Sequence, residues 1–182
     1  MKPKDDDKQH AIARATLALV ERVGLSGLTR AGIAREAGIA TGTLYVYHRS
    51  KEELLNALYE QVKGALVALI DAGIDPATPF RSRFQQNWTR LVRHRLAHYP
   101  ETVFMDQYYN SPWFSEASRQ FSARFASGCL GFFDQARAQQ ILKDAPTMLL
   151  ISSFFGSVRD TANLLRSGIS SPINTLSAVS AL

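Results

Sequence analysis

The tightest constraint on this chain lies between Glu36 and Lys51, where A-G-I-A-T-G-T-L-Y-V-Y-H-R-S separates two helix signals. Ser50 and Glu53, in S-K-E-E, form a capping box that starts a helix at Lys51. Upstream, Thr29 is placed to cap a short helix that runs through Glu36 and buries Ile33 and Ala34. Ala37-Gly38-Ile39 is a tight turn, which leaves room for only about two turns of helix before Lys51. The residues that must fill it, T-L-Y-V-Y-H, are β-branched and aromatic and by themselves favour strands. A helix so short is held by its neighbours, so its side chains answer to what they touch rather than to helix propensity.

A helix, a three-residue glycine turn and a second short helix make a helix-turn-helix over about residues 29–48, whose second helix enters the major groove of DNA. Leu44 and His48 stand four residues apart and are expected to share the inward face. Thr41, Thr43, Tyr45 and Tyr47 then spread over the outward arc, where hydroxyls and phenols reach phosphates and base edges. Gly42 has no side chain where the helix meets the sugar-phosphate backbone, which permits close approach. Lys51 and its neighbouring amides lie at a helix N-terminus, a natural anion site.

The segments I-A-R-A-T-L-A-L-V-E-R-V-G and L-T-R-A-G-I-A-R-E-A-G-I-A-T-G-T-L-Y-V-Y-H-R-S-K-E-E-L closely resemble the DNA-binding domain of the TetR family over residues 10–60. The resemblance implies an all-helical homodimer that binds a double-stranded, palindromic DNA operator and represses until a small-molecule effector enters its C-terminal domain. Position by position, it implies DNA contacts from Thr29, Arg30, Thr41, Gly42, Thr43, Tyr45, Tyr47 and Lys51. Two positions depart from the family pattern. Ala40 stands where a serine commonly caps the recognition helix, and His48 where phenylalanine is usual. Thr41 is the alternative cap, and a buried histidine needs a hydrogen-bond partner.

The rest of the 182 residues carries helical periodicity throughout and almost no strand signal, so the expectation is an all-α fold of about nine helices. The first helix spans about His10–Val23, with Ile12, Thr16, Leu19 and Val23 inward. Residues 1–9 are expected to form a flexible arm, 10–54 the DNA-binding domain and 55–182 a helical ligand-binding and dimerisation domain. Lys51 begins a helix that stops at Gly73, and G-I-D-P-A-T-P reads as a linker. Helices are then expected over Phe80–Tyr99, Thr102–Tyr109, Ser115–Gln139, from D-A-P to Ser167, and a last one carrying Ile173 and Leu176.

Of the net charge of +5, only +1 falls in residues 1–60, so DNA binding there depends on local placement rather than bulk charge. A single cysteine, Cys129, excludes an intrachain disulfide framework and a cysteine-cluster zinc site. No apolar run approaches a membrane span, and the charged N-terminus is no secretory signal, so a cytoplasmic protein without membrane association is expected.

Aromatic residues crowd positions 80–133, and an apolar pocket with polar tips among them suits a ligand. The candidates are Trp88, Met105, Tyr108, Tyr109, Phe125 and Cys129, with Arg95 as an anion anchor. Leu149, Leu150, Phe154, Val158, Ala162 and Leu165, followed by Ile173 and Leu176, form a stripe expected to pair with its two-fold mate in a four-helix dimer interface. His94 and His98, four residues apart, read as solvated histidines rather than metal ligands. No nucleophile elbow, P-loop, dinucleotide fingerprint or paired-carboxylate motif points to an enzyme, and no cofactor or catalytic residue is assigned. A regulator without an effector, acting through a protein partner, is the alternative.

Overall fold

The computed structural model describes residues 3–71, 75 and 77–168, with side chains from residue 6 onward except at 125 and 127. Among them run eight α-helices and no strand: α1 (Pro3–Val23), α2 (Arg30–Glu36), α3 (Thr41–Tyr47), α4 (Lys51–Asp71), α5 (Phe80–Ala97), α6 (Tyr99–Tyr109), α7 (Glu116–Ala138) and α8 (Thr147–Arg166). None is long and apolar enough to cross a membrane. The expected last helix, with Ile173 and Leu176, lies outside the described residues, as does part of the G-I-D-P-A-T-P linker.

Among the described residues α1 extends back to Pro3, so residues 3–9 of the expected arm are helical. Asp6 and Asp7 lie near its N-terminal end, where acidic side chains complement the positive end of the helix dipole. The inward stripe of α1 also differs from the expected one. Ile12, Thr16 and Val20 are buried, whereas Val23 is exposed. The buried Thr16 hydroxyl donates back to the Ile12 carbonyl at 2.7 Å, which satisfies it inside the core.

Two compact units divide the described residues. The first contains residues up to Ala65 together with Tyr99–Phe121; the second contains Leu66–His98 and the residues from Ser122 onward. The packing boundary therefore falls later than residue 54 and returns α6 to the first unit. There α6 packs on α1. Gln107 on α6 accepts the Leu25 amide at 2.7 Å, tying down the turn after α1. Phe104, Met105 and Tyr108 sit in the same core as Ile12, Ile33, Leu44, Leu55 and Tyr59. The Tyr108 hydroxyl donates to Asn56 and shares a 2.9 Å bond with the Ser118 hydroxyl. Burial raises this phenol's pKa.

In the second unit α8 packs on α5. Phe84 meets Phe154 edge-on at 4.9 Å, and the Trp88 indole donates to the Ser157 hydroxyl at 2.9 Å. Leu91, Val92, Phe133, Phe154, Val158 and Ala162 form the core. Past the end of α7, Gln140 adopts a left-handed φ of 57°, with Gln140 N–H donating to the Arg137 carbonyl and Ile141 N–H to that of Ala136, both at 2.9 Å. That is a Schellman stop built without glycine.

Candidate nucleic-acid interface

The interface is assembled from local signals that the sequence carries. The Thr29 hydroxyl accepts the Gly32 amide at 3.1 Å and caps α2. At the other end, Gly38 sits at φ 67°, with Gly38 N–H to Arg35 at 3.2 Å and Ile39 N–H to Ala34 at 3.0 Å. This Schellman turn needs the left-handed conformation, which glycine adopts at least cost. It delivers the chain directly into α3, which starts after Ala40. No side-chain hydrogen bond caps α3, so Thr41 does not take over the capping role.

Only Leu44 of α3 is fully buried, at 0% exposure, and it fixes the helix on the core of α1 and α2. The opposite side faces outward. Thr41, Gly42 and Tyr45 are exposed, while Thr43 and Tyr47 are half-buried, Tyr47 against the core. Val46 is 82% exposed, a residue the sequence reasoning passed over. Its signal was its position beside Tyr45 on a helix with one inward residue, and an exposed methyl-bearing side chain there suits a thymine methyl. Nothing in the chain demands Gly42: its φ is ordinary, and a Cβ built on it would meet no atom within 4 Å.

His48 is half-buried, unlike Leu44, and its amide donates to the Leu44 carbonyl at 2.9 Å. The helix ends at Tyr47, and His48 caps it in extended conformation at φ −141°. Burial lowers the imidazole pKa; Glu53 opposes that effect and the Arg30 guanidinium adds to it.

Three expected DNA-contacting residues are committed within the protein. Thr29 caps α2. Arg30 donates to the carbonyls of His48 and of Arg49, the latter at 2.9 Å, and stacks over the Tyr45 ring at 3.6 Å. It thereby clamps the end of α3 and orients its most prominent aromatic side chain. The Lys51 ammonium donates to the carbonyls of Leu25 at 3.1 Å and Leu28 at 2.8 Å, and lies 4.3 Å from the Trp113 ring. Partial burial lowers its pKa. The expected anion site at the start of α4 is likewise preoccupied. The Ser50 hydroxyl accepts the Glu53 amide at 2.9 Å, Glu53 reaches back to the Arg49 amide at 2.6 Å, and Glu52 and Glu53 fill the first turn. The capping box therefore closes one residue earlier than its usual form.

Among the described residues expected around a ligand, Cys129 lines a cavity. That cavity, of about 200 Å³, lies in the second unit between α4, α5, α7 and α8 and is also lined by Arg83, Asn87, Phe132, Phe133, Phe154 and Phe155. Met105 and Tyr108 instead belong to the core of the first unit, where Tyr109 shares a 3.2 Å hydrogen bond with Tyr59. Trp88 and Arg95 belong to the second unit but do not line the cavity. The side chain of Phe125 lies outside the described residues. The expected dimer stripe also divides. Phe154, Val158 and Ala162 are buried within the chain and Leu150 and Leu165 lean on the same core, whereas Leu149 is exposed together with Met148 and Leu164. His94 and His98 stack at 4.4 Å, and no group of three or more His, Cys, Asp or Glu suited to a metal occurs among the described residues.

A capped helix, a glycine turn and a short helix anchored by one leucine, with its polar arc outward, define a helix-turn-helix DNA-binding module. Residues 12–58 match the family described as bacterial regulatory proteins, tetR family. The chain is 32% identical over 91 residues to an uncharacterized HTH-type transcriptional regulator of Haemophilus influenzae, covering 50% of this chain and 49% of that protein. It thus spans about half the length of the curated relatives it matches. Its fold is similar to that of a TetR family transcription regulator from Marinobacter aquaeolei, with a TM-score of 0.86 and 24% identity over 99% of this chain and 95% of that one. The transcriptional regulator FadR from Bacillus subtilis, in complex with stearoyl-CoA, is similar in fold at a TM-score of 0.71 and 17% identity, over 93% and 94% of the two chains. The match to the tetR family thus covers the helix-turn-helix segment, residues 12–58, and the likeness to solved TetR-type regulators extends the same fold over the chain.

Proposed function

We propose that this protein is a homodimeric transcriptional repressor that reads a palindromic operator with α3 and leaves it when a small molecule binds in the second unit. The observation that carries the DNA-reading part is Gly42. Glycine is disfavoured in a helix by up to about 1 kcal/mol against alanine, and at this second position of α3 the chain itself supplies no reason for it. Close approach of a phosphate backbone supplies one. Thr41, Thr43, Tyr45, Val46 and Tyr47 are then the contacting side chains, with Thr29, Arg30 and Lys51 positioning them.

Dimerisation is proposed through the outward face of α8, where Met148, Leu149 and Leu164 are exposed and Gly156 leaves open space for a second helix. Release by an effector is supported by the cavity in the second unit and by the acyl-CoA bound to a protein of similar fold.

Gly42→Ala tests the reading. On DNA obtained by randomised-site selection, the variant should bind at least tenfold more weakly while its melting temperature stays level or rises. Unchanged affinity would remove Gly42, and with it the proposed approach of α3, from the DNA interface.

A further inference from the structure

The cavity in the second unit combines apolar walls with a positive charge. Phe132, Phe133, Phe154 and Phe155 give it apolar walls, and among the described residues that line it Arg83 is the charged one. The Nε of Arg83 is buried and has no hydrogen-bond partner. The guanidinium lies 5.1 Å from the centre of the Phe132 ring, an interaction that softens burial of the charge but uses none of its five donors. Buried guanidinium groups are ordinarily matched by a planar acceptor such as a carboxylate, which takes two parallel N–H bonds. Among the described residues no carboxylate lines this cavity. Asn87, one turn further along α5, adds an amide on the same wall.

We propose that the cavity binds a small carboxylate with an aromatic or branched apolar body, its anionic end on Arg83 and Asn87 and its body among the phenylalanines. Size limits the class. Drug-sized ligands occupy roughly 300–1,000 Å³, and a 150 Å³ apolar cavity takes about one benzene. A volume of about 200 Å³ therefore suits on the order of ten non-hydrogen atoms. It is too small to enclose a long acyl chain like the one in the FadR complex. The proposal rests on the effector reading only for what binding does to the DNA.

Calorimetry on the full chain with sodium 3-phenylpropanoate and with its neutral amide tests the charge directly. The carboxylate should bind at least tenfold more tightly than the amide. Arg83→Met should abolish that preference, and Arg83→Lys should keep part of it. Equal binding of acid and amide, no binding of either up to millimolar concentration, or an acid preference that survives in Arg83→Met would each overturn the proposal. Because acid and amide are compared on the unaltered protein, misfolding of a variant cannot mask the result. A carboxylate that binds at Arg83 yet leaves the protein on its selected DNA would sink the effector reading and leave the anion site standing.

Discussion

Replacing Lys51 separates two roles that a lysine at the start of α4 can hold. Its ammonium donates to the Leu25 and Leu28 carbonyls at 3.1 and 2.8 Å and sits over Trp113 at 4.3 Å. Hydrogen bonds from charged groups contribute roughly 1.5–3 kcal/mol each, and a cation–π contact about 0.5–1 kcal/mol. The site is partly solvated, so water replaces much of what is lost, and the discounted cost of Lys51→Met is about 2 kcal/mol. With a urea dependence on the order of 2 kcal/mol per molar, the unfolding midpoint should fall by about 1 M. Binding to selected DNA across a salt series gives the second readout. A lysine that neutralises a phosphate contributes close to 0.9 to the slope of log affinity against log salt. With its ammonium turned inward, Lys51 should contribute almost none, so Lys51→Met should leave the slope unchanged. A slope that flattens by about one unit at unaltered stability would refute the inward assignment and restore the residue to the DNA interface.

Gln140→Gly should stabilise the protein by about 1 kcal/mol, because a left-handed residue with a Cβ is strained and the position is exposed; a lower urea midpoint would show that its side chain matters more than its backbone. His48 has a folded pKa below its ordinary 6.5, so the unfolded chain binds more protons there and stability should fall as pH drops through about 6.5 and below. His48→Gln should be less sensitive over that window, and identical pH profiles would remove His48 from the account. Charging the outward face of α8 with Leu149→Glu and Leu164→Glu should halve the mass seen by light scattering, whereas an unchanged mass would place the dimer contact elsewhere.

The helix-turn-helix was legible because its signals are local. Thr29, Gly38, Ser50 and Glu53 each act within a few residues, and their spacing alone leaves two turns for α3. Less legible was the end of α3, where His48 leaves helical conformation at φ −141° and is only half-buried. Helical periodicity likewise located α5 to α8 within a few residues. It did not reveal which side of α8 meets its own chain, since Leu149 and Phe154 look alike in sequence and differ only in what packs opposite them.

Sequence by itself thus determined the helical class, the turn, the caps and the outward polar arc of α3, because each is set by neighbours along the chain. Tertiary structure alone decided the rest. Lys51 and Arg30 found backbone carbonyls 18 to 26 residues away and clamp the ends of α3 and α4 to the chain. Tyr108 joined a core with Asn56 and Ser118, while Arg83, unremarked in the sequence, became the charge in an apolar cavity. A side chain's task depends on which distant groups folding brings within about 3 Å of it, and spacing along the chain carries no record of that distance.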